Sequence, residues 1–210
     1  MPLSDEDLYK IMGPTSIAPD ERSFVNEITN QVIVRKGSFD AGHRVMNERL
    51  KCFNIHGHTY LYELAFNFSK SKDIGYNIDF KEIKRVGCQW IDDHLDHALI
   101  VNPNDHFLIQ AGIGLKSKMW FMSLNGVGKY CNPTVENIAK EIFLAIQFLL
   151  NDKDLHLQHI RLYETPNCYT ECYRHSISPS EKNNFLDRYK KDLEKYKQEK
   201  GTIEYDDRKL

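Results

Sequence analysis

The chain has 210 residues, 41% of them hydrophobic, enough for one domain with a true core. Its 30 acidic and 28 basic residues leave a formal charge of -2, which gives no general pull toward nucleic acid or anionic lipid, so an anionic ligand must be met by a local cluster. No apolar run approaches the roughly 20 residues of a membrane span, the N-terminus lacks the form of a signal peptide, and five irregularly spaced cysteines suit reduced thiols, so the expectation is a soluble cytoplasmic protein.

Residues 1–22 are polar with scattered Pro and Gly and read as an N-terminal arm. Residues 23–177 carry the periodic elements and form the expected domain. Val-Ile-Val opens a strand over 31–39, and a second strand runs over 58–68 with Tyr60, Tyr62 and Leu64 on one face, the two forming an antiparallel pair. After a turn at 73–76, Phe80, Ile83, Val86, Trp90 and Ile91 recur at helical spacing, with Asp79 placed to cap. Residues 102–116 read as loop and short helix, and 118–124 has strand character before a Gly-rich turn at 125–128.

A second main helix is expected after Pro133, with Thr134 as cap and Ile138, Ile142, Ala145, Ile146 and Leu149 on its buried face. Strands over 159–164 and 169–174 follow, joined by Thr165-Pro166-Asn167, with Cys168 and Cys172 as ordinary strand residues. Ser178-Pro179-Ser180-Glu181 has the form of a capping box, and Phe185, Tyr189, Leu193 and Tyr196 make a stripe along the charged C-terminal helix of 178–210, which should pack on a neighbour or on its own sheet. The order strand, strand, helix, helix, strand, strand predicts an α+β fold.

The chemistry concentrates in Cys52-Phe53-Asn54-Ile55-His56-Gly57-His58. Residues two apart on a strand project from one face, so His56 and His58 can converge on one ion, and Gly57 leaves room for close approach. Such a pair alone is also common among ordinary polar strand residues. His43, ending the preceding strand, is the third candidate ligand, because hairpin pairing would bring it beside the other two. Three histidines leave one coordination position open, as in catalytic zinc sites. Cys52 is close enough in sequence to share that pocket, where a dication favours the thiolate, although a buried inert thiol is the ordinary fate of cysteine. Asp93-His94-Leu95-Asp96-His97 supplies two Asp-His pairs, either of which could form a proton relay or merely decorate a helix C-terminus.

In chain order, Phe-x-Ala-x-His-Arg, Cys-x-x-x-His-Gly-His, Leu-Asp-His, Asn-Pro-Thr-x-Glu-Asn and Tyr-Glu-Thr resemble the 6-pyruvoyl-tetrahydropterin synthase family over roughly residues 32–173. The three residues between Cys52 and His56 are similar to the spacing of its bacterial 6-carboxy-tetrahydropterin synthase branch. The resemblance implies zinc on His43, His56 and His58, Cys52 as catalytic thiol, Asp96 with His97 as proton-transfer pair and His94 as a bystander. It further implies that Glu164 anchors a pterin and that Thr134 and Glu136 line its pocket. The implied fold is the tunnelling fold, a four-stranded antiparallel sheet with two helices on one face, here with an added C-terminal helix. Such subunits join into homohexamers built as dimers of trimers.

The implied substrate is the small molecule 7,8-dihydroneopterin triphosphate, converted to 6-carboxy-5,6,7,8-tetrahydropterin on the route to queuosine, with neither nucleic acid nor membrane as partner. The alternatives are 6-pyruvoyl-tetrahydropterin synthesis and a zinc-stabilised pterin-binding oligomer without turnover. Two features depart from the family pattern: Ala-Leu-Ile-Val after His97, and the length of 104–131.

Overall fold

A computed structural model describes residues 32–68, 79–124, 131–150 and 155–200. The expected arm at 1–22, the turns at 73–76 and 125–128 and the last ten residues lie outside the described residues. Strand β1 (Val32–His43) pairs antiparallel with β2 (His56–Phe68), which pairs antiparallel with β5 (Leu155–Thr165), and β5 with β6 (Cys168–Tyr173). These four strands are the expected antiparallel set.

The sheet is larger than expected, however, with six strands in the order β4-β3-β1-β2-β5-β6. Strands β3 (Ala98–Val101) and β4 (Met119–Phe121) extend it in parallel beyond β1, which makes the sheet mixed. Ala-Leu-Ile-Val, seen in sequence only as a departure from a motif, is β3. It is a continuous apolar run in which Ala98, Ile100 and Val101 are buried and Leu99 partly so, and such a parallel strand needs no strict alternation. The first strand also runs four residues past its expected end, to His43.

Helix α1 (Phe80–Ile83) is capped by Asp79, whose carboxylate accepts from the Lys81 N–H at 2.8 Å. A π turn (Lys84–Cys88) joins it to α2 (Gln89–His94), so the single expected helix is broken in its middle. Gly87 sits in that turn where a Cβ would lie 3.6 Å from Ile146. Helix α3 (His106–Gly114) is capped by Asp105, and α4 (Val135–Leu150) packs on β5 and β6. The core lies between sheet and helices, where Tyr60, Leu64, Phe66, Trp90, Ile142, Phe143, Ile160 and Leu162 are nearly inaccessible. Each such side chain contributes about 1.5–3 kcal/mol of transfer free energy.

Helix α5 (Pro179–Lys200) opens with the expected capping box, in which Ser178 and Glu181 bond reciprocally. Its stripe of Phe185, Tyr189, Leu193 and Tyr196 is buried against α4 and the π turn, and through Tyr189 against β4 at the edge of its own sheet, as expected. Tyr189 stacks on Trp120 with ring centroids 4.1 Å apart and donates to the Phe121 carbonyl. The Tyr196 hydroxyl donates to Asp93 at 2.9 Å. His94 belongs to this aromatic cluster, 5.0 Å from Trp90 and 5.4 Å from Tyr196. Among the described residues, no helix is long and apolar enough to cross a membrane.

Candidate metal centre

The β1–β2 register decides where the histidines go. His43 lies directly opposite His56 and Ala41 opposite His58, and the alternation that turns Phe39 and Tyr60 into the core turns all three imidazoles to that same face. Their ligand atoms all lie within 4.8 Å of one another, and the ring centroids are 4.5, 4.9 and 5.2 Å apart. Gly57, between two of them, lets the hairpin close: a Cβ there would sit 3.1 Å from the Ala41 carbonyl oxygen.

The hydrogen bonds fix the outer nitrogens. His43 Nδ1 is 2.7 Å from the Pro133 carbonyl and His56 Nδ1 is 2.8 Å from the Asn54 carbonyl. A carbonyl can only accept, so each Nδ1 carries the proton and each Nε2 keeps its lone pair. Nε2 of His43 and of His58 are buried without a hydrogen-bond partner. Buried nitrogens seldom go unpaired, and convergent lone pairs with nothing to accept from are what a divalent cation requires. Burial first, offset by the Pro133 bond, and then the neighbouring imidazoles lower the His43 pKa to about 4. The ring is therefore neutral at pH 7 and able to ligate. The donor set fits zinc.

Glu164, near the end of β5, reaches the same place, its Oε1 3.7 Å from His43 Nε2 and 3.9 Å from His58 Nε2. Cys52 sits in a short 3-10 turn (Lys51–Phe53), half-buried, with its carbonyl accepting from the Val45 N–H at 2.7 Å, which folds the turn back beside the end of β1. Tyr60, wholly buried, stands edge-on to His43 and His58, and its hydroxyl has no hydrogen-bond partner. Burial, and then the neighbouring charge of Glu164, push its pKa up. Nothing in the sequence pointed to Tyr60, because a strand tyrosine reads as core.

Asp96 and His97 are elsewhere. Asp96 Oδ2 is 2.7 Å from His97 Nδ1, and its Oδ1 accepts from the Asp40 N–H at 2.8 Å. That backbone bond and the His97 bond together hold the Asp96 pKa below the usual carboxylate value despite partial burial. His97 has a φ of 56°, is 77% exposed at its side chain and lines a cavity of about 640 Å³ with Asp40, Gly42, Gly57, Leu99 and Gly112. Asp40 and Gly42 alternate with Ala41 and His43, so this cavity lies on the opposite face of β1 from the imidazoles. His58 also borders this cavity, but among the described residues no hydrogen bond or ring contact joins the Asp96–His97 pair to the three imidazoles.

Thr134 begins α4, its hydroxyl 3.4 Å from the Asn137 N–H as a cap, and Glu136 is exposed in the first turn. Thr134 stands next to the residue whose carbonyl orients His43, so the start of α4 borders the site.

A model of the family described as 6-pyruvoyl tetrahydropterin synthase matches residues 32–175. A 6-carboxy-5,6,7,8-tetrahydropterin synthase of Rickettsia felis is 37% identical over 141 residues, spanning 65% of this chain and 96% of that protein. Two solved structures share the fold. An uncharacterized protein of Wolinella succinogenes has a TM-score of 0.55 at 18% identity over 69% of this chain and 98% of its own. The 6-pyruvoyl tetrahydropterin synthase of Plasmodium falciparum has a TM-score of 0.50 at 17% identity over 69% and 97%. All six strands of the sheet lie within the matched residues, and helix α5 lies beyond them. From the match over most of its length, this chain belongs to the 6-pyruvoyl tetrahydropterin synthase family.

Proposed function

We propose that this chain is a zinc-dependent 6-carboxy-5,6,7,8-tetrahydropterin synthase that acts in the cytoplasm on 7,8-dihydroneopterin triphosphate and releases acetaldehyde and triphosphate. The observation that carries the reading is the convergence of His43, His56 and His58, with the Nε2 atoms of His43 and His58 buried and unpartnered. The similarity to the Rickettsia felis protein of that name supports the carboxy product over the pyruvoyl one.

His43, His56 and His58 would hold the metal, which supplies Lewis-acid polarisation of substrate oxygens when bound. The chain's own groups do the rest. Cys52, half-buried beside the end of β1, takes a proton from the substrate side chain. Glu164, lying against His43 and His58, grips the aminopyrimidinone edge, a carboxylate accepting two parallel N–H bonds. Thr134, at the start of α4, and Glu136, exposed in its first turn, border the ring. His97, held in one tautomer by Asp96, returns a proton.

Because the cavity that His97 lines is on the face of β1 opposite the imidazoles, the proton pair of one copy would serve the centre of another, and a homohexamer built from paired trimers would supply that contact. Incubation with 7,8-dihydroneopterin triphosphate and assay of acetaldehyde tests the reading, with Cys52→Ala alongside. Acetaldehyde production that depends on Cys52 and on zinc supports it. A pyruvoyl product, or pterin binding without turnover, replaces it.

A further inference from the structure

The carbonyl that orients His43 belongs to Pro133, a residue with no N–H of its own, so this peptide must be held from its neighbours. The neighbour that does so is Asn132. Its side-chain Oδ1 accepts from the Met46 N–H and from Asn102 Nδ2, both at 2.9 Å. Its backbone carbonyl accepts from Asn137 Nδ2 and from the Thr134 N–H, again both at 2.9 Å. Three separate segments meet on this residue. Met46 is on the loop that leaves His43, and Asn102, only 1% exposed, follows β3, whose Ile100 is in register with His43. Asn137 belongs to the first turns of α4.

We infer that Asn132 is a positioning residue for the metal ligand His43. It ties the loop after the ligand, the strand beside it and the carbonyl that takes its Nδ1 proton into one unit. The imidazole is thereby kept in the tautomer whose Nε2 lone pair faces His58 and Glu164. The carboxamide is used as an acceptor: both described bonds to its side chain end on Oδ1. An aspartate at 132 would keep that acceptor and an alanine would remove it, which separates positioning from bulk. The metal part of this inference rests on the proposed three-histidine centre; the tautomer part does not.

The test pairs long-range proton–nitrogen NMR of the imidazoles in metal-free protein with chelator-competition titration of Zn2+, on wild type, Asn132→Ala and Asn132→Asp. In wild type His43 reads as the Nδ1-protonated tautomer. In Asn132→Ala the tautomers mix and zinc affinity falls about 10- to 100-fold, the usual cost of losing support behind a ligand; Asn132→Asp stays close to wild type in both. A wild-type tautomer and affinity in Asn132→Ala, or an Asn132→Asp as impaired as the alanine, overturns the inference. Should Asn132→Ala fail to fold, Asn137→Ala loosens only the backbone carbonyl: a smaller change in the same direction supports it, and no change overturns it. A mixed tautomer in Asn132→Ala alongside a wild type that binds no zinc would keep the positioning role and remove the metal centre.

Discussion

The two faces of β1 make an instructive contrast. On one, His43 is buried, pinned at Nδ1 and joined by two more imidazoles and a carboxylate. On the other, His97 is exposed and held at its backbone in the left-handed region, with Asp96 orienting its ring. The first has the completeness of a centre that one chain builds alone, the second the openness of a group meant for something that the chain does not contain. Alternation along twelve residues of one strand is enough to separate the two.

The largest expected effect breaks the contrast at its buried side. His58→Ala should reduce bound zinc, measured by elemental analysis, to background and abolish turnover, since two remaining imidazoles rarely retain a catalytic metal. Next, Cys52→Ala should lower turnover by about 10²- to 10⁴-fold, the range for loss of a positioned proton-transfer group, with metal content unchanged. Loss of zinc in that variant would make Cys52 a ligand instead. His97→Ala should fall within the same range, and here the two faces can be played against each other. Co-expression of Cys52→Ala with His97→Ala should regain about a quarter of wild-type turnover if each site draws on two randomly mixed copies. Activity no greater than that of the parents would mean that one chain supplies both groups.

The smallest effect concerns what holds the open side in place. Glu141, fully enclosed on α4, accepts from Trp120 Nε1 and the Ser123 N–H at 2.5 Å and from the Ser123 hydroxyl at 2.8 Å, fastening the β4 edge to the helix layer. Burial outweighs those bonds and raises its pKa to about 7, from an ordinary value of 4.5. Between those two values the unfolded carboxyl gives up its proton while the folded one keeps it. Stability should therefore decline as pH rises from 4.5 to 7 and level off above, by a total of about 3 kcal/mol. Denaturant melts of Glu141→Gln should show a flatter profile over that window, and an unchanged slope would assign the pH dependence to other groups.

The hairpin and its histidines were legible because a period of two and a His-Gly-His are local signals that need no knowledge of distant partners. The C-terminal stripe was legible for the same reason at helical period. What escaped the sequence was long-range. Ala98 to Val101 is too short and too uniformly apolar to declare itself a strand, and its partner β4 lies eighteen residues on from its last residue, across α3. The π turn left no mark on spacing, since one widened turn preserves the apolar face of the helix. That Asp96 and His97 are tied to β1 rests on bonds to a residue 56 or more positions away, Asp40, whose carbonyl accepts from the His97 N–H at 2.6 Å and whose N–H donates to Asp96. Asn132, inside a motif whose threonine and glutamate drew the functional reading, looked like a residue before a proline and nothing more.

Gly42 and Gly57 stand opposite each other in the hairpin, and both line the cavity on the far side of the imidazoles. With neither glycine offering a side chain, the partition at that spot is a single layer of peptide. Whatever presses on the cavity there, through Leu99 or directly, bears on the same planes from which His43 and His56 hang.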